Sequence, residues 1–238
     1  METIKGKNIL LIGATGGIGN RTAKLLAQSG ANLFITGRNE EKLKALGQEL
    51  KLSDNQLYIG DLTSTEEVYR LRDSFFQTFP TIDVFINASG IGIIKSSDQL
   101  TEEEFLKTLT INLYAPFMLL KAFLPAMKEA KKGLIIHIPG VLGKVPMMGA
   151  SAYSASKYGL VGMTQSIREE VKRTDIRFTN IFMGGVDSPF WDNIDLRVQR
   201  DKMVTTEEAA KAIWFLCQQP EHGVISEMVL QPFNHQAI

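Results

Sequence analysis

Tyr153 and Lys157 stand four residues apart in Ser-Ala-Tyr-Ser-Ala-Ser-Lys, Ser151 to Lys157. On a helix, positions i and i+4 share a face, so the phenol and the ammonium are neighbours. A free phenol has a pKa of about 10, too high for ready proton exchange at neutral pH. A cation beside it favours the phenolate and makes Tyr153 a usable acid or base. The plainer alternative is an amphipathic helix with a half-buried tyrosine and a solvated lysine.

A second stretch, Asn8 to Gly30, points to other chemistry. Ile9 to Ile12 is a short apolar run of buried-strand type, and Gly13, Gly16, Gly17 and Gly19 follow at once. Ala23, Leu25, Leu26 and Ala27 then recur as on one side of a helix that ends at Gly30. Strand, glycine turn and helix, in that order, is the context a dinucleotide-binding motif requires. Glycines let backbone N–H groups approach a pyrophosphate, and a helix N-terminus favours the negative charge. The spacing is G-x-x-x-G-x-G rather than G-x-G-x-x-G, and a tight strand-to-helix turn also needs glycines.

Three loops after later strands carry polar candidates. Thr36-Gly37-Arg38 lies about where an acid would hold the ribose 2′-OH of NAD. No acid is present, and the Arg38 guanidinium suits a 2′-phosphate, which argues for NADP(H) over NAD(H). Asp61-Leu62 places a carboxylate that can accept from an adenine amino group, or simply approach a helix start. Asn87-Ala88-Ser89-Gly90 offers small residues past which a nicotinamide ribose can run, though the same types form turns.

The elements that must position these groups alternate along the chain. Strands are expected at Leu33–Thr36, Gln56–Ile59, Ile82–Ile86, Leu134–Ile138, Ile176–Phe182 and Ile225–Leu230. Helices are expected at Asn39–Leu50, from Ser64-x-x-Glu67 to about Thr78, from Thr101-x-x-Glu104, over Ser151–Lys172, and from Thr205-x-x-Glu208 to Cys217. Pro116 is expected to interrupt the helix opened at Thr101. Repeated βα units imply an α/β fold: one Rossmann-like, doubly wound parallel sheet of about seven strands with helices on both faces. Ligands then sit at the carboxyl ends of the strands.

At 238 residues the chain fits one domain over its whole length. Lys plus Arg and Asp plus Glu are 26 each, so no bulk attraction to nucleic acid or an anionic membrane is expected. No apolar run is expected to reach membrane-spanning length. Met1 to Lys5 lacks an apolar signal region. Cys217 is the single cysteine, which excludes an internal disulfide or a cysteine metal site and suits a reducing cytoplasm.

Taken together and in order, these motifs resemble the short-chain dehydrogenase/reductase family over nearly the whole chain. Gly13-x3-Gly17-Ile18-Gly19, with Thr15 inside it, is similar to the family's cofactor loop, with Ile12 where a threonine is usual. Asp61 matches its adenine-contacting acid. Asn87-Ala88-Ser89-Gly90 resembles its Asn-Asn-Ala-Gly motif with Ala88 for the second asparagine, and Asn112 matches the asparagine of its catalytic set. Tyr153-x3-Lys157 matches its active-site signature. Gly184, Val186 and Ser188 fall in a segment similar to its nicotinamide-contacting Pro-Gly segment, with Met183 for the proline and Ser188 for a threonine. The resemblance implies hydride exchange between NADP(H) and a carbonyl or alcohol carbon, with Tyr153 exchanging the proton. It also implies that Lys157 holds the ribose, that Asn112 positions a relay water, and that the chain forms a homotetramer or homodimer.

One departure stands out. The family's catalytic serine lies thirteen residues before its tyrosine, where this chain has Gly140. Glycine has no side-chain donor for the substrate oxygen, and losing one such donor costs on the order of a hundred- to a thousand-fold in rate. Ser151 is a possible substitute, though serine there reads first as a helix N-cap, and backbone N–H groups near Gly140 are another. His137 lies in an apolar strand pattern with nothing adjacent to pair with, and reads as a buried side chain. Phe190, Trp191 and the Met147-Met148 pair flank the expected site and can line an apolar pocket for an uncharged ketone or a 3-oxoacyl thioester. Gly184-Gly185 can hinge Ser188 to Met203 as a lid. Two readings compete: an NADP-dependent oxidoreductase, and a cofactor-binding sensor that has lost turnover through Gly140.

Overall fold

Apolar runs such as Ile9–Ile12 and Leu134–Ile136 are buried on both faces, as a helix-covered parallel sheet requires. In the computed structural model, which describes residues 3–220 and 222–233, they become the middle of one sheet. The strands are β1 (Asn8–Ile12), β2 (Asn32–Gly37), β3 (Leu57–Ile59), β4 (Val84–Asn87), β5 (Lys132–His137), β6 (Asp175–Met183), β7 (Val186–Asp187), β8 (Val204–Thr205) and β9 (Glu227–Leu230). Seven of them join in the order β3-β2-β1-β4-β5-β6-β9, every neighbouring pair parallel. The path runs outward from β1 to β3, then returns to start again at β4 on the other side of β1. The crevice for a ligand therefore opens above β1 and β4.

The helices cover both faces. α1 (Gly17–Gln28), α2 (Glu40–Glu49) and α7 (Thr206–Leu216) bury Ala23, Leu26, Leu43, Leu46 and Ile213 on one side. α3 (Thr65–Thr78), α5 (Ala115–Ala130) and α6 (Ser151–Glu170) cover the other, where Phe34, Phe75, Phe85 and Phe123 form an aromatic cluster. Thr101 and Thr205 make full capping boxes with Glu104 and Glu208. Ser64 makes half of one: it accepts from Glu67 N, while the Glu67 carboxylate accepts from Tyr58 Oη at 3.0 Å.

Pro116 does not break its helix. α4 (Glu102–Leu109) runs through a π turn at Thr110–Tyr114 straight into α5. Proline has no N–H for the Asn112 carbonyl four residues earlier. The chain absorbs that loss by a wider turn, in which Ala115 N–H reaches back to the Thr110 carbonyl. The joined helix, Glu102–Ala130, is long and apolar enough to cross a membrane by composition, contrary to the expectation for this sequence. Met118, Leu119, Leu120, Phe123 and Met127 are nonetheless buried in the core, so here it is a core helix.

One element was not foreseen. β7 and β8 pair in parallel as a two-stranded ribbon, Val186 with Val204 and Asp187 with Thr205. The ribbon ties together both ends of the segment 188–203.

Candidate active site

The site begins where β1 stops. Gly13 turns at φ +81, and a Cβ there would lie 2.9 Å from the Ser89 nitrogen. The turns after β1 and β4 therefore touch, with glycine as the spacer. α1 follows with no side-chain cap and no acid in its first turn, so its leading N–H groups stay open to an anion.

Two adjoining cavities of about 280 and 250 Å³ share Gly16, Ala88 and Gly90 and make one cleft. Gly13, Thr15, Arg38, Asp61 and Leu62 line the first half. Arg38 is exposed there, with no hydrogen-bond or ion-pair partner among the described residues. Asp61 Oδ1 accepts from Thr63 N at 3.1 Å and Thr63 Oγ1 at 2.9 Å, which fixes the turn at the rim. Gly17, Ile18, Gly19, Gly140, Tyr153, Gly184, Val186, Ser188, Phe190 and Trp191 line the second half.

Tyr153 and Lys157 come together as the i, i+4 spacing requires. Lys157 is 3 % exposed, its Nζ lies 5.4 Å from the Tyr153 ring centroid, and it donates to the Ile138 carbonyl at 3.2 Å. A Cβ on Gly90 would be 3.4 Å from that Nζ, so the lysine stands behind Gly90, one of the two glycines shared by both halves, and itself lines neither. The electrostatics differ from expectation. Burial pushes the Tyr153 phenol well above its ordinary value and pushes Lys157 down to about 8. The ammonium lies over the ring, and desolvation sets the direction of the phenol's shift. Tyr153 is thus held as a neutral phenol.

Several predicted residues lie outside the cleft. Asn112 is buried and its side chain is fully used: Oδ1 accepts from Ile91 N at 2.9 Å, and Nδ2 donates to Ile91 O at 2.9 Å and Ser156 Oγ at 3.1 Å. It clamps the loop after β4 to α6, so its side chain is committed to holding structure. Asn87 Oδ1 accepts from Ser89 N and Oγ, so its side chain secures its own turn and lines neither cavity. Ser151 is neither a bonded cap nor a cleft donor. The cap of α6 is Ala150, reached through a turn from Met147, and Ser151 faces a separate groove with Leu100 and Leu106. Met148 is 96 % exposed and away from the cleft.

Gly140 faces Tyr153: a Cβ there would lie 4.0 Å from Tyr153 Oη and 3.4 Å from the Met183 carbonyl. There is room for a side chain, but the backbone is at φ +71, ψ 170, a conformation close to glycine-only. Gly140→Ser is therefore expected to lose about 1–3 kcal/mol of stability, seen in urea unfolding, and not to raise turnover. A more active serine variant of unchanged stability would show that the loop relaxes.

Phe190 closes the reacting half. Its ring centroid is 5.9 Å from that of Tyr153, and a Cβ on Gly92 would be 2.3 Å from the Phe190 ring. Trp191 Nε1 donates to the Val186 carbonyl at 3.0 Å. Arg200 holds the segment's two ends together through Asp187 (2.6 Å), Asp192 (2.7 Å) and the Ser188 carbonyl (2.9 Å). Ile138, Val141, Leu142 and Met183 also line this half, and Ile111, Ala115 and Leu119 line the other. In the first set Ile138, Val141 and Leu142 flank Gly140 in sequence and Met183 precedes Gly184, so nearness to predicted residues could have found them. The second shares its spacing with the core stripe of its helix, and periodicity does not tell a cleft edge from a core.

Known proteins resemble this chain in sequence and in fold. The short chain dehydrogenase family profile matches residues 7–199. An uncharacterised oxidoreductase of Staphylococcus epidermidis is 28% identical over 232 residues, covering 98% of this chain and 100% of its own length. The 3-oxoacyl-acyl-carrier-protein reductase FabG of Rickettsia felis is 34% identical over 226 residues, 91% of each chain. A metagenomic short-chain oxidoreductase solved in complex with NADP superposes with a TM-score of 0.84 at 28% identity, over 97% of this chain and 99% of that one. An alcohol dehydrogenase of the archaeon Thermococcus sibiricus, complexed with 5-hydroxy-NADP, also gives 0.84, at 25% identity, over 96% and 97%. With the family profile spanning most of its length, and the glycine cleft and Tyr153 at the crevice above the central strands, the chain belongs to the short-chain dehydrogenase family of oxidoreductases.

Proposed function

We propose that this chain is an NADP(H)-dependent reductase that interconverts an uncharged ketone or oxoacyl carbonyl and its alcohol, with Tyr153 as the proton donor. The observation that carries the reading is Tyr153 lining one half of a cleft, with buried Lys157 behind its Gly90 wall, while the other half is lined by an unpaired arginine. The cleft fits the cofactor: the uncapped start of α1 suits a pyrophosphate, and Arg38 at the rim suits a 2′-phosphate. When bound, NADP(H) supplies the reducing equivalents. Lys157, behind Gly90, then serves the ribose hydroxyls, and Tyr153 Oη gives its proton to the substrate oxygen. No charged side chain lines the half around Tyr153, which supports a neutral carbonyl.

The test is NADPH consumption against ketones, quinones and oxoacyl thioesters, the last suggested by the Rickettsia felis relative. NADPH binding without turnover of any of them would overturn the enzyme reading in favour of a cofactor sensor. Arg38→Ala is expected to weaken NADPH roughly ten- to a hundred-fold by loss of a charge-assisted contact, with NADH changed little. Equal losses for both cofactors in a fluorescence titration would remove the 2′-phosphate role.

We also read the chain as a homo-oligomer. Leu106, Tyr114, Phe117 and Tyr158 are exposed on the long helix and α6, around a groove floored by Leu109, Leu113 and Met163. An apolar face of this kind suits a second copy. Phe117→Glu is expected to turn a dimer or tetramer into monomers by light scattering. A monomeric wild type would sink this reading.

A further inference from the structure

His137 closes β5, and the reaction proposed above gives it no task. In register it lies between Asn87 of β4 and Asn180 of β6. Three buried polar side chains thus stand in a row across the central strands. The asparagines are satisfied: Asn87 accepts from Ser89, and Asn180 Nδ2 donates to Thr164 Oγ1 at 3.0 Å. His137 is 1 % exposed, and neither ring nitrogen has a partner among the described residues. Its ring lies 6.0 Å from that of Phe85.

A neutral imidazole carries one donor and one acceptor, and leaving both unmade in a protein interior is rare. Internal water commonly satisfies such groups, making about three hydrogen bonds. Lys157, across from α6, is the charged group whose field reaches His137. One of its three ammonium protons goes to the carbonyl of Ile138, the residue next to His137. Burial holds the imidazole far below its ordinary value, at about 3, so it is neutral at any working pH and can act as an acceptor.

We propose that His137 is a positioning residue that holds an internal water against the Lys157 ammonium. The water oxygen accepts from Nζ, and the water donates to the imidazole nitrogen that carries no proton. The ammonium then keeps its charge inside the protein and stays aimed at the cleft. This rests on the reading that Lys157 serves Tyr153, but its test does not need turnover.

The experiment has two arms. A high-resolution crystal structure of the chain is expected to show an ordered water within hydrogen-bond reach of both Lys157 Nζ and one His137 nitrogen. A dry His137 overturns the proposal. In the second arm, lysine labelled at Cε with carbon-13 reports the Lys157 titration by NMR in wild type, His137→Phe and His137→Asn. The phenylalanine variant should titrate about one pH unit lower, a ten-fold loss in proton affinity. The asparagine variant, which can still accept, should stay near wild type. An unshifted phenylalanine variant, or equal shifts in both, overturns the proposal. Thermal melts of both variants check folding, and with Phe85 alongside, the phenylalanine has an apolar neighbour. Absence of turnover in wild type would remove the proposed function and leave both arms readable.

Discussion

Tyr153→Phe is expected to abolish carbonyl reduction while NADPH still binds. The phenylalanine keeps the ring that faces Phe190 at 5.9 Å, so the wall of the cleft survives and only Oη is lost. A positioned general acid contributes about a hundred- to ten-thousand-fold. The loss should fall toward the upper end here, because Gly140 supplies no side-chain donor beside Oη. Single-turnover NADPH oxidation measures it, with cofactor fluorescence as the binding control. A variant that keeps a tenth of wild-type rate would show that the proton comes from elsewhere.

The second large effect is on stability. Lys157 falls from 10.5 to about 8 on folding, through burial. Between those values the unfolded chain binds a proton that the folded chain does not, so stability rises with pH across that window. Below pH 8 the buried ammonium costs about 3 kcal/mol, taking about 1.4 kcal/mol per pKa unit. Lys157→Met, of similar length and without charge, is therefore expected to be the more stable protein at pH 7 and to lose most of that advantage by pH 10. Urea unfolding of both at the two pH values checks this. An advantage that does not change with pH would mean that the gain comes from packing. The same substitution should lower turnover, which would make Lys157 a residue kept for chemistry against stability.

Much of this was readable in the sequence, and the rest was not for physical reasons. Buried runs such as Ile9–Ile12 and the Thr101 and Thr205 caps are local signals, and they gave the sheet and the helix starts. The glycine turn and the Tyr153–Lys157 spacing gave both halves of the cleft. What stayed hidden depends on contacts between distant segments. Asn112 had no sequence mark for its clamp on Ile91, which joins residues twenty-one apart. The β7–β8 ribbon is too short for any periodicity. The π turn answers Pro116 in a way composition does not specify. Gly140 read as a missing donor, and only its backbone angles show that the main chain is committed to glycine.

The ribbon has a consequence for how such a protein changes its diet. The stretch from Ser188 to Met203 leaves from β7 and comes home to β8, and those two footings sit side by side. Whatever lies between them can be lengthened, shortened or exchanged as a cassette without moving a strand of the main sheet. A graft between the footings should redirect which carbonyls are accepted, while Arg38 and Asp61, which line the other half of the cleft, stay where they are.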